Sequence, residues 1–90
     1  MKYKLERVKS TNIKAIGYEK ESKTLNVFFS NNGLYTYSPV EEKTYNLFHS
    51  AQSIGKFFAG EIKPNKTYKF QKVTFKPEEL DFGTEEIKNG

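Results

Sequence analysis

The residues best suited to chemistry in this sequence are two tyrosines, Tyr35 and Tyr37, separated by a single residue. Because successive side chains of a strand point to opposite faces, tyrosines at this spacing lie on one face. Exposed aromatic rings stack on the bases of single-stranded nucleic acid, and neighbouring lysines bind the phosphates. Alternatively, both rings pack into a core or against adjacent strands. The sequence leaves these two interpretations open.

The dipeptide Asn32-Gly33 predicts a hairpin with a two-residue type I′ turn, because both residues tolerate positive φ. In that register Ser30 faces Tyr35 and Phe28 faces Tyr37. One face of the hairpin then carries Leu25, Val27, Phe29 and Leu34, and the other carries Phe28, Tyr35 and Tyr37. The predicted ligand site combines this second group with four lysines, which are Lys14, Lys56, Lys69 and Lys72.

Other candidate sites have weaker support. Ser53 and Gly55 stand at a predicted helix N-terminus, where free N–H groups could bind an anion, although such a pair is more often only a cap. His49 is the one histidine, no carboxylate is placed by spacing to assist it, and cysteine is absent. We therefore predict no catalytic residue, no metal site and no cofactor.

Hydrophobic periodicity predicts the elements that position these residues. Strands are expected over 2–8, 24–30 and 67–75, together with the tyrosine strand. A first helix is predicted from Ser38 as N-cap, Pro39 as first residue and Glu41 as capping-box partner. Its apolar stripe is Val40, Tyr45, Leu47, Phe48 and Ala51. A second helix is predicted from Ser53 through Ile54, Phe57 and Phe58, ending near Gly60 or Lys63.

Two amphipathic helices must pack on the one available sheet. The predicted fold class is therefore α+β, a small antiparallel meander of about four to five strands with two short helices on one face. If the helices cover Leu25, Val27 and Phe29, the aromatic group of Phe28, Tyr35 and Tyr37 faces outward. An apolar patch of that size would indicate a binding surface.

Length and charge predict one basic domain followed by an acidic tail. We assign residues 1–76 to the domain, with an arm over 1–8 and a core over 8–76, and residues 77–90 to the tail. The domain has 14 Lys/Arg against 6 Asp/Glu, whereas the tail has 1 against 5. A basic body favours polyanions, although surface lysines also serve solubility. The tail is either disordered or docked through Leu80, Phe82 and Ile87 in competition with an anionic ligand.

The chain has no apolar run that could span a bilayer, no signal-peptide pattern and no cysteine. These features predict a cytoplasmic protein without membrane contact.

The ordered features resemble the KTSC domain, a small family named for its occurrence at the C-terminus of some lysyl-tRNA synthetases. The matching residues are Val8-Lys9-Ser10, Ile16-Gly17-Tyr18, Leu25-x-Val27-x-Phe29, Gly33-x-Tyr35-x-Tyr37, Val40, Ala51-x-Ser53-x-Gly55-x-Phe57-Phe58, Ile62 and Tyr68. Family members also occur as free-standing bacterial and phage proteins. The synthetase context of the family implies RNA as a ligand.

The leading hypothesis is a non-enzymatic module that binds single-stranded RNA or another nucleotide-containing ligand through Tyr35, Tyr37 and Phe28. The alternative is a protein–protein adaptor or inhibitor of bacterial or phage origin, either monomeric or a homodimer that pairs through the edge strand over 2–8.

Overall fold

The computed structural model describes residues 2–83 of the chain. Its strands are β1 (Tyr3–Lys4), β2 (Glu6–Arg7), β3 (Ile13–Glu19), β4 (Thr24–Phe29), β5 (Leu34–Ser38), β6 (Lys69–Val73) and β7 (Leu80–Asp81). Its helices are α1 (Glu42–His49) and α2 (Ile54–Phe57), which continues into a π-helical turn (Phe58–Ile62), and a 3₁₀ turn spans Pro77–Glu79. Strands β2 to β6 form one antiparallel sheet in sequence order, and β1 pairs with β7 in parallel.

The predicted α+β fold class is confirmed, since the two short helices pack on one face of the five-stranded sheet. The core on this helix face joins strand residues to helix residues. Its buried members are Ile13, Ile16, Leu25, Val27, Tyr37, Val40, Phe48, Ile54, Phe58 and Ile62. Their burial provides the main stabilisation of a chain of this length.

The predicted hairpin forms, but its predicted register is wrong by three residues. Tyr35 pairs with Val27 instead of Ser30, and Tyr37 pairs with Leu25 instead of Phe28. The loop has three residues, because the Phe29 N–H donates to the Gly33 carbonyl oxygen at 2.9 Å. Of the predicted turn residues Asn32 and Gly33, only Asn32 has positive φ (69°). One left-handed residue after a type I turn is typical of a three-residue hairpin loop.

This shift inverts the predicted faces, since an odd slip moves every side chain to the other side of a sheet. Tyr35 and Tyr37 share the helix face with Leu25 and Val27, whereas Phe28 pairs with Leu34 on the opposite side. We call that opposite side the back face. The prediction that Phe28, Tyr35 and Tyr37 form one surface is therefore wrong.

The first helix begins later than predicted. Ser38 ends β5, and the N-cap of α1 is Glu41, whose side chain makes no capping hydrogen bond. Val40 is buried but precedes the helix, where its N–H donates to the Lys23 carbonyl oxygen at 2.8 Å. Leu47 belongs to the predicted apolar stripe, yet its side chain is 58% exposed.

The second helix and the last strand follow the sequence more closely. The Ser53 hydroxyl accepts a hydrogen bond from the Lys56 N–H at 3.2 Å, so Ser53 is the N-cap as predicted. The predicted strand over 67–75 is shorter, and forms β6 at the edge of the sheet beside β5. Its outer side has no strand neighbour among residues 2–83.

Segments from both ends of the described chain cover the back face, which the sequence analysis expected to be open. Leu5, Ala15, Phe28 and Leu34 form a second buried cluster, with Tyr3, Val73, Phe75, Leu80 and Phe82 packed against it. The arm continues as two short strands interrupted at Leu5, whose N–H donates to the Asp81 carbonyl oxygen at 2.8 Å. The disordered interpretation of the tail is therefore wrong for residues 77–83. Ile87 lies outside the described residues.

Candidate functional site

The helices leave one part of the helix face open, where β5 and β6 form an aromatic cleft of about 450 Å³. We define the aromatic cleft by its lining residues, which are Phe29, Asn31, Tyr35, Tyr37, Phe58, Lys63 and Phe70. Five of the seven are aromatic, so a flat apolar ligand group would find ring surfaces on several sides.

The register places Phe70 beside both tyrosines. Phe70 pairs with Tyr37 across β5 and β6, and their ring centroids are 5.8 Å apart at an interplanar angle of 27°. The Phe70 ring also lies 6.4 Å from the Tyr35 ring, which meets Phe29 edge-on at 5.6 Å. Contacts of this kind hold the rings in fixed orientations.

The rings of the aromatic cleft differ in their access to solvent. Phe70 is 66% exposed, whereas Tyr37 is only 7% exposed and packs edge-on against the buried Phe58 ring at 5.6 Å. Burial raises the pKa of the Tyr37 phenol above its ordinary value, and the neighbouring Tyr35 adds to the shift. Tyr37 therefore forms the neutral floor of the cleft, and Phe70 is the ring that a ligand meets first.

The charge around the aromatic cleft is positive. Lys63 lies in its lining, and Lys72 pairs with Tyr35 and so belongs to the same face. The segment 62–77 contains five lysines, Lys63, Lys66, Lys69, Lys72 and Lys76, and neither Asp nor Glu. An anionic ligand would thus approach this end of the sheet through a positive field.

Only part of the predicted ligand site comes together here. Tyr35 and Tyr37 line the aromatic cleft, and Lys72 lies next to it. Phe28 is buried on the back face, where the Lys14 Nζ lies 5.6 Å from its ring centroid and donates to Asn32 Oδ1 at 2.7 Å.

The two remaining lysines of the prediction do not line the aromatic cleft. Lys56 is exposed on α2, and Lys69 pairs with Ser38, one residue out of phase with Phe70. At the predicted anion site, the Ser53 hydroxyl is used as the helix cap, and a Cβ on Gly55 would lie 3.5 Å from the Ser10 hydroxyl oxygen. Anion binding there stays a prediction.

Sequence reasoning missed five residues of the aromatic cleft, which are Phe29, Asn31, Phe58, Lys63 and Phe70. Phe70 belongs to the predicted strand over 67–75, and pairing that strand with Tyr37 would have found it. Phe29 and Phe58 are predicted on the apolar faces of a strand and a helix, and both do pack against the core. Lys63 carries no local signal.

The only histidine of the sequence is exposed, and one of its ring nitrogens lies within hydrogen-bonding distance of a carboxylate. His49 Nε2 lies 3.0 Å from Glu6 Oε1, which links α1 to β2. Within residues 2–83, no group of His, Cys, Asp and Glu side chains is arranged to bind a metal ion. The described part of the chain also holds no helix with the length and apolarity needed to cross a membrane.

Comparison with known proteins identifies the family. The family model of the KTSC domain matches residues 9–68, which is two thirds of the chain. The chain belongs to the KTSC domain family. A crystal structure of a KTSC domain protein from Yersinia pestis superposes with a TM-score of 0.73 at 34% identity, covering 78% of this chain and 96% of that one. The comparison with curated proteins found no match.

Several residues that carry the KTSC resemblance have structural roles. A Cβ on Gly17 would lie 1.8 Å from the Lys4 carbonyl oxygen, so the arm crosses directly over this glycine. The Tyr18 hydroxyl donates to the Val40 carbonyl oxygen, and Ser53 caps α2. All of the aromatic cleft except Phe70 lies within the matched residues.

Proposed function

We propose that this KTSC domain is a non-enzymatic module that binds single-stranded RNA in the aromatic cleft. The observation that carries the proposal is the 66% exposed Phe70 ring, held beside Tyr35 and Tyr37 at a lysine-rich edge. An exposed ring stacks on any unpaired base, and each such base contributes about 1–3 kcal/mol. The KTSC domain also occurs at the C-terminus of some lysyl-tRNA synthetases, and this context supports RNA as the ligand class.

In this mode of binding, one base stacks on the free face of Phe70 while the backbone follows β6. Lys63 lines the cleft and Lys72 lies two residues beyond Phe70 on β6, and both are free to bind phosphates, because neither forms an ion pair within residues 2–83. Paired bases in a duplex cannot insert into the cleft. The proposal therefore specifies single strands over duplexes, with binding that weakens as salt increases.

The test is fluorescence anisotropy of a labelled single-stranded RNA titrated with matched variants. Phe70→Ala should weaken binding by about 5- to 150-fold, because it removes one stacking surface. Leu47→Ala is the matched control, since Leu47 is the other large apolar residue that is exposed within residues 2–83, and it lies on α1. Its affinity should equal that of the unmodified protein, and circular dichroism should show that both variants are folded.

The salt dependence gives a second readout that stacking does not affect. Lys63→Ala should lower the slope of log K against log salt by about 0.7, the value for one phosphate of a single strand. Lys43→Ala, on the exposed surface of α1, should leave the slope unchanged. Equal RNA affinity of the Phe70→Ala and Leu47→Ala variants would reject the aromatic cleft as the RNA site.

A protein–protein adaptor or inhibitor is the second candidate, favoured by the open outer side of β6. An extended segment of a partner can add to such an edge as a further strand. Self-pairing through β6 would bring Lys69 and Lys72 of two copies together, which disfavours it. The predicted pairing through residues 2–8 is restricted, because Tyr3–Lys4 already pairs with Leu80–Asp81. Sedimentation that shows a concentration-dependent dimer would support self-association, and a monomer would leave only a different partner.

A further inference from the structure

A polar cavity of about 470 Å³ lies on the back face, across the sheet from the aromatic cleft. The strand register builds it, since Glu19 pairs with Thr24, Asn26 pairs with Thr36, and Thr36 pairs with Gln71. These side chains come from four neighbouring strands, and the arm adds Tyr3 to the rim. Here the back face changes from apolar to polar, because Phe28 and Leu34 lie one row further along.

Asn26 is the feature of this cavity that packing alone does not explain. Its side chain lines the cavity, yet the residue is 0% exposed. Its Nδ2 donates to Glu19 Oε2 at 3.4 Å, so its Oδ1 is the atom of the amide that is left to accept. No donor within residues 2–83 reaches Asn26 Oδ1. A buried carbonyl oxygen without a donor is costly, so such groups normally have a partner.

Glu19 supplies a second acceptor next to Asn26. Its carboxylate is half-buried and forms no ion pair with any lysine or arginine of residues 2–83. Lys72 lies on the rim of this cavity, and Lys4 lines the adjoining groove that Glu19 also borders. The Glu19 carboxylate and Asn26 Oδ1 are both acceptors and donate no hydrogen bond, and the one bond between the two side chains is donated by Asn26 Nδ2.

We propose that this cavity binds a small polar ligand that carries a protonated amine. The ammonium group donates to the Glu19 carboxylate, and a rotation of the Asn26 side chain brings its buried Oδ1 to the same group, which gives both acceptors a partner. The hydroxyls of Thr24 and Thr36 and the Gln71 amide bind the polar remainder of the ligand. The cavity lies on the other face of the sheet from the aromatic cleft, and Lys72 of the edge strand β6 is the one residue assigned to both sites.

The experiment is an NMR titration of the ¹⁵N-labelled full chain with ethanolamine, and with ethylene glycol as the matched ligand without an amine. Ionic strength and pH are held constant with sodium chloride and buffer. Ethanolamine should shift the amide signals of Glu19, Asn26 and Thr36 in a saturable manner, and ethylene glycol should not. Glu19→Gln should weaken ethanolamine binding by about tenfold or more, because a hydrogen bond to a charged group is lost.

Glu21→Gln is the matched control, since Glu21 is an exposed acid two residues further along, in the turn after β3, and lies outside the cavity. It should bind ethanolamine as the unmodified protein does. The Glu19→Gln change keeps a side-chain oxygen that can accept from Asn26 Nδ2, so the fold is expected to be retained. The proposal is overturned if the two ligands give equal shifts, if Glu19→Gln leaves the affinity unchanged, or if a soaked crystal shows only a water on Asn26 Oδ1.

Discussion

Gly17 is the position where one methyl group should separate the arm from the sheet. A Cβ at Gly17 would lie 1.8 Å from the Lys4 carbonyl oxygen, 2.9 Å from the Lys4 carbonyl carbon and 3.3 Å from Leu5 Cα. All three are backbone atoms, so no side-chain rotation relieves the overlap. The Gly17→Ala variant must therefore move the arm away from β3.

The cost follows from what the arm contributes where it crosses. Leu5 is 5% exposed, and burying a leucine side chain contributes about 1.5–3 kcal/mol. The hydrogen bond from the Leu5 N–H to the Asp81 carbonyl oxygen adds about 1 kcal/mol. We expect Gly17→Ala to lower the free energy of unfolding by about 2–4 kcal/mol in total. That is a large fraction of the stability of a small domain.

Urea denaturation followed by circular dichroism measures this loss. Gly60→Ala is the matched control, because a Cβ there has no neighbour within 4 Å, and its stability should be unchanged or raised by up to about 1 kcal/mol. A Leu5→Ala change should cost about 2–5 kcal/mol in the unmodified protein and almost nothing in the Gly17→Ala variant. Two results would refute the displacement of the arm by a Cβ at Gly17. One is a Gly17→Ala variant as stable as the control, and the other is a double variant whose loss of stability equals the sum of the Gly17→Ala and Leu5→Ala losses.

Three further predictions concern the pKa of Tyr45, the packing of Phe82 and the position of the tail. Burial, with a smaller contribution from Glu6, raises the pKa of Tyr45 from 10.0 to about 12, so the folded state favours the neutral phenol. The free energy of unfolding should therefore fall as pH rises from about 10 to about 12. In urea denaturation, Tyr45→Phe should make this fall with pH less steep. Some fall should remain in the variant, because the pKa values of Tyr18 and Tyr37 are also raised. Phe82→Ala should lower the free energy of unfolding by about 1–3 kcal/mol and leave RNA affinity unchanged. The Phe82 ring centroid lies 6.3 Å from the Phe28 ring centroid and 4.3 Å from Cζ of the Arg7 guanidinium, and both contacts would be lost. Deletion of residues 77–90 should lower the midpoint temperature of thermal unfolding, because Leu80 and Phe82 pack on the back face. It should leave RNA affinity unchanged. A gain in RNA affinity would instead support a tail that competes with RNA.

The sequence was sufficient for the fold class, for several of the elements and for the packing of both helices on one face of the sheet, because hydrophobic periodicity reports which residues need burial. The strand at 24–30, the cap at Ser53 and the helices on one face all follow from side-chain patterns of neighbouring residues. The first helix shows the limit of local patterns. Ser38, Pro39 and Glu41 have the spacing of a helix start, but Ser38 ends β5, and Val40 is held outside the helix by its burial and its hydrogen bond to Lys23.

The aromatic site depended on register, which local patterns do not determine. Asn32-Gly33 predicts a two-residue turn, whereas the Asn31 side chain accepts from the Gly33 N–H at 3.0 Å and helps to form a three-residue loop. The resulting shift of three residues placed the tyrosines on the helix face and Phe28 on the back face. Phe70 became part of the site only through pairing with Tyr37, a contact between residues far apart in the chain.

The most direct test of RNA binding in the aromatic cleft is a ¹H–¹⁵N NMR titration with a single-stranded RNA of about ten nucleotides. The account predicts that the largest shifts occur at Tyr35, Lys63 and Phe70, and that the back-face residues Phe28 and Leu34 do not respond. Saturating shifts confined to the back face, or no shifts at low salt, would contradict it.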